Sequence, residues 1–129
     1  MSLDLYKAVK DLRFRAKDGS EFTLHSGVYG TGNGALHVSD EHGSAECKLT
    51  VNMIELQAQL AEDEFFVRVE TIRFSRAPQA LLDLGLFAKT TRVVTYADGS
   101  TYAEIWRFAD CPHGDGKAIA CSRCRESQP

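Results

Sequence analysis

The sequence predicts an α+β fold: an antiparallel sheet of about six strands, two or three short helices, and a Cys/His-bearing C-terminal tail. Three observations carry this. Alternating apolar and polar residues flank Asp18-Gly19 and Asp98-Gly99, the strongest short-range hairpin signal. Breaker-free stretches of helix formers are too short for more than two or three helical segments. The 129 residues suffice for one hydrophobic core, and a 43% apolar, 26% charged composition is that of a globular chain rather than a disordered one.

The elements follow in order. Leu5, Ala8, Val9 and Leu12 recur at helical spacing after Ser2, a candidate N-cap. Residues 11–17 and 20–26 alternate as a hairpin about Asp18-Gly19, a turn in which both positions are expected to take positive φ. The run GVYGTGNG (27–34) reads as a mobile loop. Residues 35–39 and 45–52 form a second pair about Glu41-His42-Gly43, with Cys47, Leu49 and Val51 on one face. Residues 53–61 suit a short helix. The β-branched and aromatic run FFVRVETI (65–72) suits a strand. Pro78 at the start and Gly85 at the end bracket a helix over 77–84. The last hairpin joins 91–97 to 101–108.

Residues 1–108 thus make the predicted core domain, and residues 109–129 lie outside its pattern. That tail is rich in Gly and Pro, nearly lacks large apolar side chains, and holds three of the four cysteines. Cys111-Pro112-His113 precedes Cys121-Ser122-Arg123-Cys124 by seven residues. Cys111, His113, Cys121 and Cys124 form a ligand set for a structural Zn2+, because a closed Cys3His tetrahedron suits structure and metal binding orders a coreless segment. The same residues are open to three other readings: a redox Cys-x-x-Cys pair, a disulfide, or an unliganded tail. Cys47 reads as a small buried core residue.

Fifteen Lys and Arg against eighteen Asp and Glu leave a net charge of −3, which excludes a chain that coats nucleic acid by bulk charge. No apolar run reaches membrane-span or signal-peptide length, so a cytoplasmic location is expected, with no membrane partner. GTGNG lacks the Lys-Ser/Thr ending or helix of a phosphate loop. His37, Asp40, Glu41 and His42 read as a solvated hairpin tip, and no nucleophile-elbow serine is present. The chain therefore reads as non-catalytic. Two surfaces stand out. Glu62, Asp63 and Glu64 beside Phe66 form an acidic-aromatic segment suited to a protein partner. Arg13, Arg15 and Lys17 on one strand face, with Arg123 and Arg125 in the tail, suit nucleic acid, whereas alternating basic residues also protect an edge strand from aggregation.

Residues 49–53 (LTVNM), 60–67 (LAEDEFFV), 84–87 (LGLF) and 104–107 (EIWR) stand in an order and spacing that resemble a family of small uncharacterised proteins encoded on bacterial plasmids and integrative elements. The resemblance covers roughly residues 35–108. Thr90-Thr91-Arg92 departs from it where that family has a Thr-Gly-Arg turn, and the cysteine tail lies outside it. It implies an accessory protein of a mobile element acting in a bacterial host. Such cargo includes inhibitors of defence systems, CRISPR and restriction among them. The leading expectation is a protein-binding accessory factor, and the alternative is a zinc-stabilised nucleic-acid-binding module.

Overall fold

Three turns of a single design shape the first half of the chain. In the computed structural model, which describes residues 3–95, 102–114, 116–121 and 124, the first sheet has strands β1 (Leu12–Arg15), β2 (Glu21–Val28), β3 (Gly34–Asp40) and β4 (Ala45–Lys48). They lie in sequence order and pair antiparallel. Each turn encloses three residues. Ala16 N–H donates to Ser20 O at 2.9 Å and Gly19 N–H to Ala16 O at 3.0 Å, and the same pair of bonds recurs at Tyr29/Asn33 and Asp40/Ser44. The third loop residue is Gly19, Gly32 or Gly43, left-handed at φ +91°, +89° and +80°. Such a loop needs one left-handed residue at its last position, which glycine takes without steric cost. The predicted Asp-Gly turn with two positive φ values is therefore corrected: Gly19 alone is left-handed, and Asp18 instead accepts the Ser20 N–H on Oδ1.

GVYGTGNG is also corrected. β2 and β3 run through its two ends, and only residues 29–33 turn. Tyr29 Oη bonds Thr50 Oγ1 at 2.8 Å, and Asn52 bonds both Asn33 and Thr31, so the turn is pinned to the following segment.

The second sheet holds β5 (Glu64–Arg68), β6 (Phe87–Thr95) and β7 (Tyr102–Phe108) in the antiparallel order β5-β7-β6. The α+β class expected holds, with short helices and seven described antiparallel strands, which divide between two sheets. The cause is a contact between distant positions: the chain leaves the first sheet after Lys48, and Thr50 bridges Val67 while Arg68 N–H donates to Leu49 O. Cys47 and Leu49 share the main core as expected, whereas Val51 faces a second cluster. Residues 69–72, expected as strand, start helix α2 (Val69–Phe74), because β5 ends at Arg68 and Glu70 and Arg73 complement the helix dipole. Helix α1 (Leu3–Ala8), a 3-10 helix (Ile54–Gln59) and helix α3 (Ala77–Asp83) lie where short helices are expected. Ser2 and the Asp98-Gly99 turn lie outside the described residues.

The inner faces of both sheets close on one core. Phe14, Phe22, Leu24, Leu36 and Val38 meet Phe65, Val67, Phe87, Trp106 and Phe108, with Tyr6 from α1, Val9 just after it and Leu81 from α3. The other face of the second sheet is buried too: Phe66, Ala103 and Ile105 pack with Val51 and Met53. Core packing does not stop at residue 108. Ala118 and Ile119, in a last 3-10 turn (Ala118–Ala120), are 2% and 1% exposed and belong to the main core.

Candidate metal centre

The segment after β7 folds back on itself before its donors converge. Asp110 and Lys117 form an antiparallel bridge, Ala118 N–H donates to Ala109 O, and Cys111 N–H donates to Gly116 O, all at 2.9 Å for the two hydrogen bonds. The Ile119 anchor then sets the 3-10 turn, and Cys121 N–H closes it on Ala118 O.

This path brings Cys111, His113, Cys121 and Cys124 together, with one ligand atom from each and all four within 4.8 Å of one another. His113 Nδ1 is the focus: it lies 3.7 Å from Cys111 Sγ, 3.6 Å from Cys121 Sγ and 3.4 Å from Cys124 Sγ. Cys111 Sγ and Cys124 Sγ are 3.7 Å apart. The His113 N–H donates to Cys111 Sγ at 3.3 Å, which fixes the start of the loop. The three cysteines are half-buried and His113 is exposed. These four residues can hold a metal ion.

The thiols are unequal. The Cys121 thiol is lowered to about 6, first by the Cys124 backbone N–H and then by its Cys111, His113 and Cys124 neighbours. The Cys124 thiol, packed against the core, is raised to about 12 by loss of solvent and then by Cys111 and Cys121. A bound cation holds its ligating cysteines as thiolates, so its binding releases protons.

A charged clasp holds the segment to the second sheet. Lys117 Nζ lies 2.5 Å from Asp63 Oδ2 and 2.7 Å from Asp110 Oδ1, and Arg107 reaches Asp110 at 2.5 Å and Asp63 at 3.5 Å. Partial burial pushes the Asp63 carboxyl up, but Lys117 and Arg107 outweigh it and leave it below the ordinary range. Asp110 is also held low, by Lys117 and then Arg107. Nothing local in the sequence marks this clasp; the one sequence signal for the anchor beside it is Ala118-Ile119-Ala120, an apolar run in a polar tail.

The acidic-aromatic surface is not assembled. Phe66 is 2% exposed, because the 3-10 segment with Leu56 and Leu60 covers that face of β5. Asp63 belongs to the clasp, and Glu64 pairs with Arg92 and accepts the Ala61 N–H. Glu62 alone of the four is exposed. Arg13, Arg15 and Lys17 do lie exposed, the first two on edge strand β1, with Arg15 bonded to Glu21 at 2.6 Å. Arg123 and Arg125 lie outside the described residues. Cys47 is half-buried against the main core, which raises its thiol to about 11. At the hairpin tip, Asp40 Oδ1 accepts the His42 and Ser44 N–H groups, while His37 stacks on His25 across the strands.

Among the described residues no helix is long and apolar enough to cross a membrane. Comparison of the chain with protein-family models, curated proteins and solved structures finds no match in any of the three.

Proposed function

We propose that the chain is a non-catalytic binding protein whose C-terminal segment is clamped by a structural zinc ion. One observation carries the zinc reading. With Zn–S near 2.3 Å and Zn–N near 2.0–2.1 Å, a regular tetrahedron has edges of about 3.8 Å between sulfurs and about 3.6 Å between sulfur and nitrogen. Four of the six separations fall on these edges, 3.7 Å for Cys111 Sγ–Cys124 Sγ and 3.4–3.7 Å from the three sulfurs to His113 Nδ1, and all six lie within 4.8 Å. Three sulfurs and one imidazole fill all four positions, leaving none for a substrate or water, which is the pattern of a structural site.

Elemental analysis of the purified full chain tests this. One zinc per chain is expected, lost in Cys121→Ser and kept in Cys47→Ser. Freshly reduced protein free of zinc overturns the reading.

The binding role rests on the resemblance to plasmid-borne accessory proteins, and the proposed setting is the cytoplasm of a bacterial host with a protein of a CRISPR or restriction system as partner. Transformation of a host by a plasmid bearing a targeted site is the direct assay. Expression of the chain should raise the yield, and an unchanged yield removes the anti-defence role without touching the zinc site. The exposed Arg13 and Lys17 favour nucleic acid as the second reading. It requires affinity that falls with salt on a log-log plot, and indifference to salt excludes it.

A further inference from the structure

We infer that the metal centre is a reversible redox switch, in which a hydroperoxide joins Cys111 and Cys124 in a disulfide and frees the zinc ion. The inference rests on the zinc reading and adds a regulation to it.

The geometry supplies the pair. Cys111 Sγ and Cys124 Sγ stand 3.7 Å apart, and a disulfide needs about 2.0 Å, so the sulfurs close a gap of less than about 2 Å. Both are half-buried rather than enclosed, and the fourth ligand, His113, is exposed, so a small oxidant reaches the cluster. Zinc holds its cysteines as thiolates, the form that attacks peroxides.

The electron count closes with two thiolates and one peroxide. One thiolate attacks a peroxide oxygen; an S–O bond forms, the O–O bond breaks, and the departing hydroxide takes a proton to leave as water. The second thiolate attacks the resulting sulfenic sulfur; the S–S bond forms, the S–O bond breaks, and a second proton carries that oxygen off as water. Two thiolates have lost two electrons and hydrogen peroxide has gained them. Only Cys121 and His113 then remain as donors, and two ligands do not retain a structural zinc against water. A dithiol reductant returns two electrons and restores the site.

Reversibility follows from what anchors the segment. Lys117 on Asp63 and Asp110, Ala118 N–H on Ala109 O and the buried Ile119 side chain involve none of the four donors. The segment thus keeps its course when the ion leaves, and Cys111 and Cys124 stay within reach of each other. The second thiol then traps the sulfenic acid before a further peroxide carries it to the irreversible sulfinic state. Cys47, half-buried and with its thiol raised to about 11, takes no part.

The test treats the zinc-loaded full chain with one equivalent of hydrogen peroxide, reads free zinc with a chromophoric chelator and maps disulfides by peptide mass. One zinc released per disulfide, a Cys111–Cys124 link, the same result in Cys47→Ser, and recovery of zinc binding after a dithiol reductant are expected. Zinc retained under excess peroxide overturns the switch and leaves the zinc reading standing. A Cys121–Cys124 link, or release accompanied only by sulfinic or sulfonic products, also overturns it. A chain that carries no zinc before oxidation overturns the zinc reading itself, and the switch with it.

Discussion

Lys117 Nζ lies 2.5 Å from Asp63 Oδ2, joining positions 54 apart in the chain and fastening the metal-binding segment to the start of β5. The bond makes the segment part of the domain by two independent means. The ammonium is shared between Asp63 and Asp110, while two residues further on Ile119 enters the main core. A zinc ion here acts on a backbone already turned, so it closes a ligand set rather than creating the fold of the segment.

Replacing Lys117 by Met should destabilise the protein by about 1–2 kcal/mol, because a charge-assisted bond is lost and Asp63, partly buried, is left with only the more distant Arg107, 3.5 Å away. The loss depends on pH in a fixed direction. Asp63 and Asp110 have lowered folded values, so their stabilisation is complete above the unfolded value of about 3.9 and disappears as pH falls through the lowered one. Urea midpoints of the two proteins should therefore differ most near neutrality and converge in acid. A difference that grows on acidification contradicts the clasp.

The donors of this centre could be read in the sequence, whereas the clasp could not, and the difference is one of range. Cys111, His113, Cys121 and Cys124 fall within fourteen positions, where ligand type and spacing speak directly. Asp63 is one carboxylate in an acidic run, and nothing local marks Lys117 as its partner. The turns at Gly19, Gly43 and Gly85 were legible for the same local reason. The split into two sheets depends on Thr50 meeting Val67, and the end of β5 depends on where pairing with β7 runs out at Ala103. Val69, Thr71 and Ile72 favour a strand by propensity, and the tertiary pairing overrides them.

Thr91 takes φ +69° inside β6, where the register with β7 shifts between Lys89 and Val93. A β-branched residue pays a steric cost in that region that glycine does not. Thr91→Gly should raise stability by about 1 kcal/mol, seen as a higher melting temperature with an unchanged spectrum. A destabilised Thr91→Gly protein would weigh against this left-handed backbone geometry.

Tyr6 and Gly34 constrain each other. A Cβ at Gly34 would stand 2.6 Å from Cε2 and Cζ of the Tyr6 ring, which itself packs edge-on against Phe108 at 5.4 Å. Gly34→Ala should cost about 1–3 kcal/mol through forced repacking. The Tyr6 hydroxyl is buried without a hydrogen-bond partner among the described residues, and burial raises its pKa. Tyr6→Phe removes that unpaired group at nearly constant shape, so it should stabilise by about 1 kcal/mol. Opposite signs for the two substitutions in denaturant melts are the expected outcome; a destabilised Tyr6→Phe would mean that the hydroxyl has a partner in solution.

Phe66 separates the protein-binding surface first expected from the packing observed. It stands on β5 between Phe65 and Val67, which point into the main core, and it fills the second cluster with Met53 and Ile105. Both faces of this strand are covered, so a substitution here acts on folding before it acts on any partner. Phe66→Ala should cost about 3–5 kcal/mol, as large buried aromatics do. Glu62→Lys, at the exposed end of the acidic run, should change stability by less than about 0.5 kcal/mol. Melting both variants before any capture experiment therefore decides how the experiment is read: lost capture by a folded Glu62→Lys protein implicates the surface, and lost capture by an unfolded Phe66→Ala protein implicates only the core.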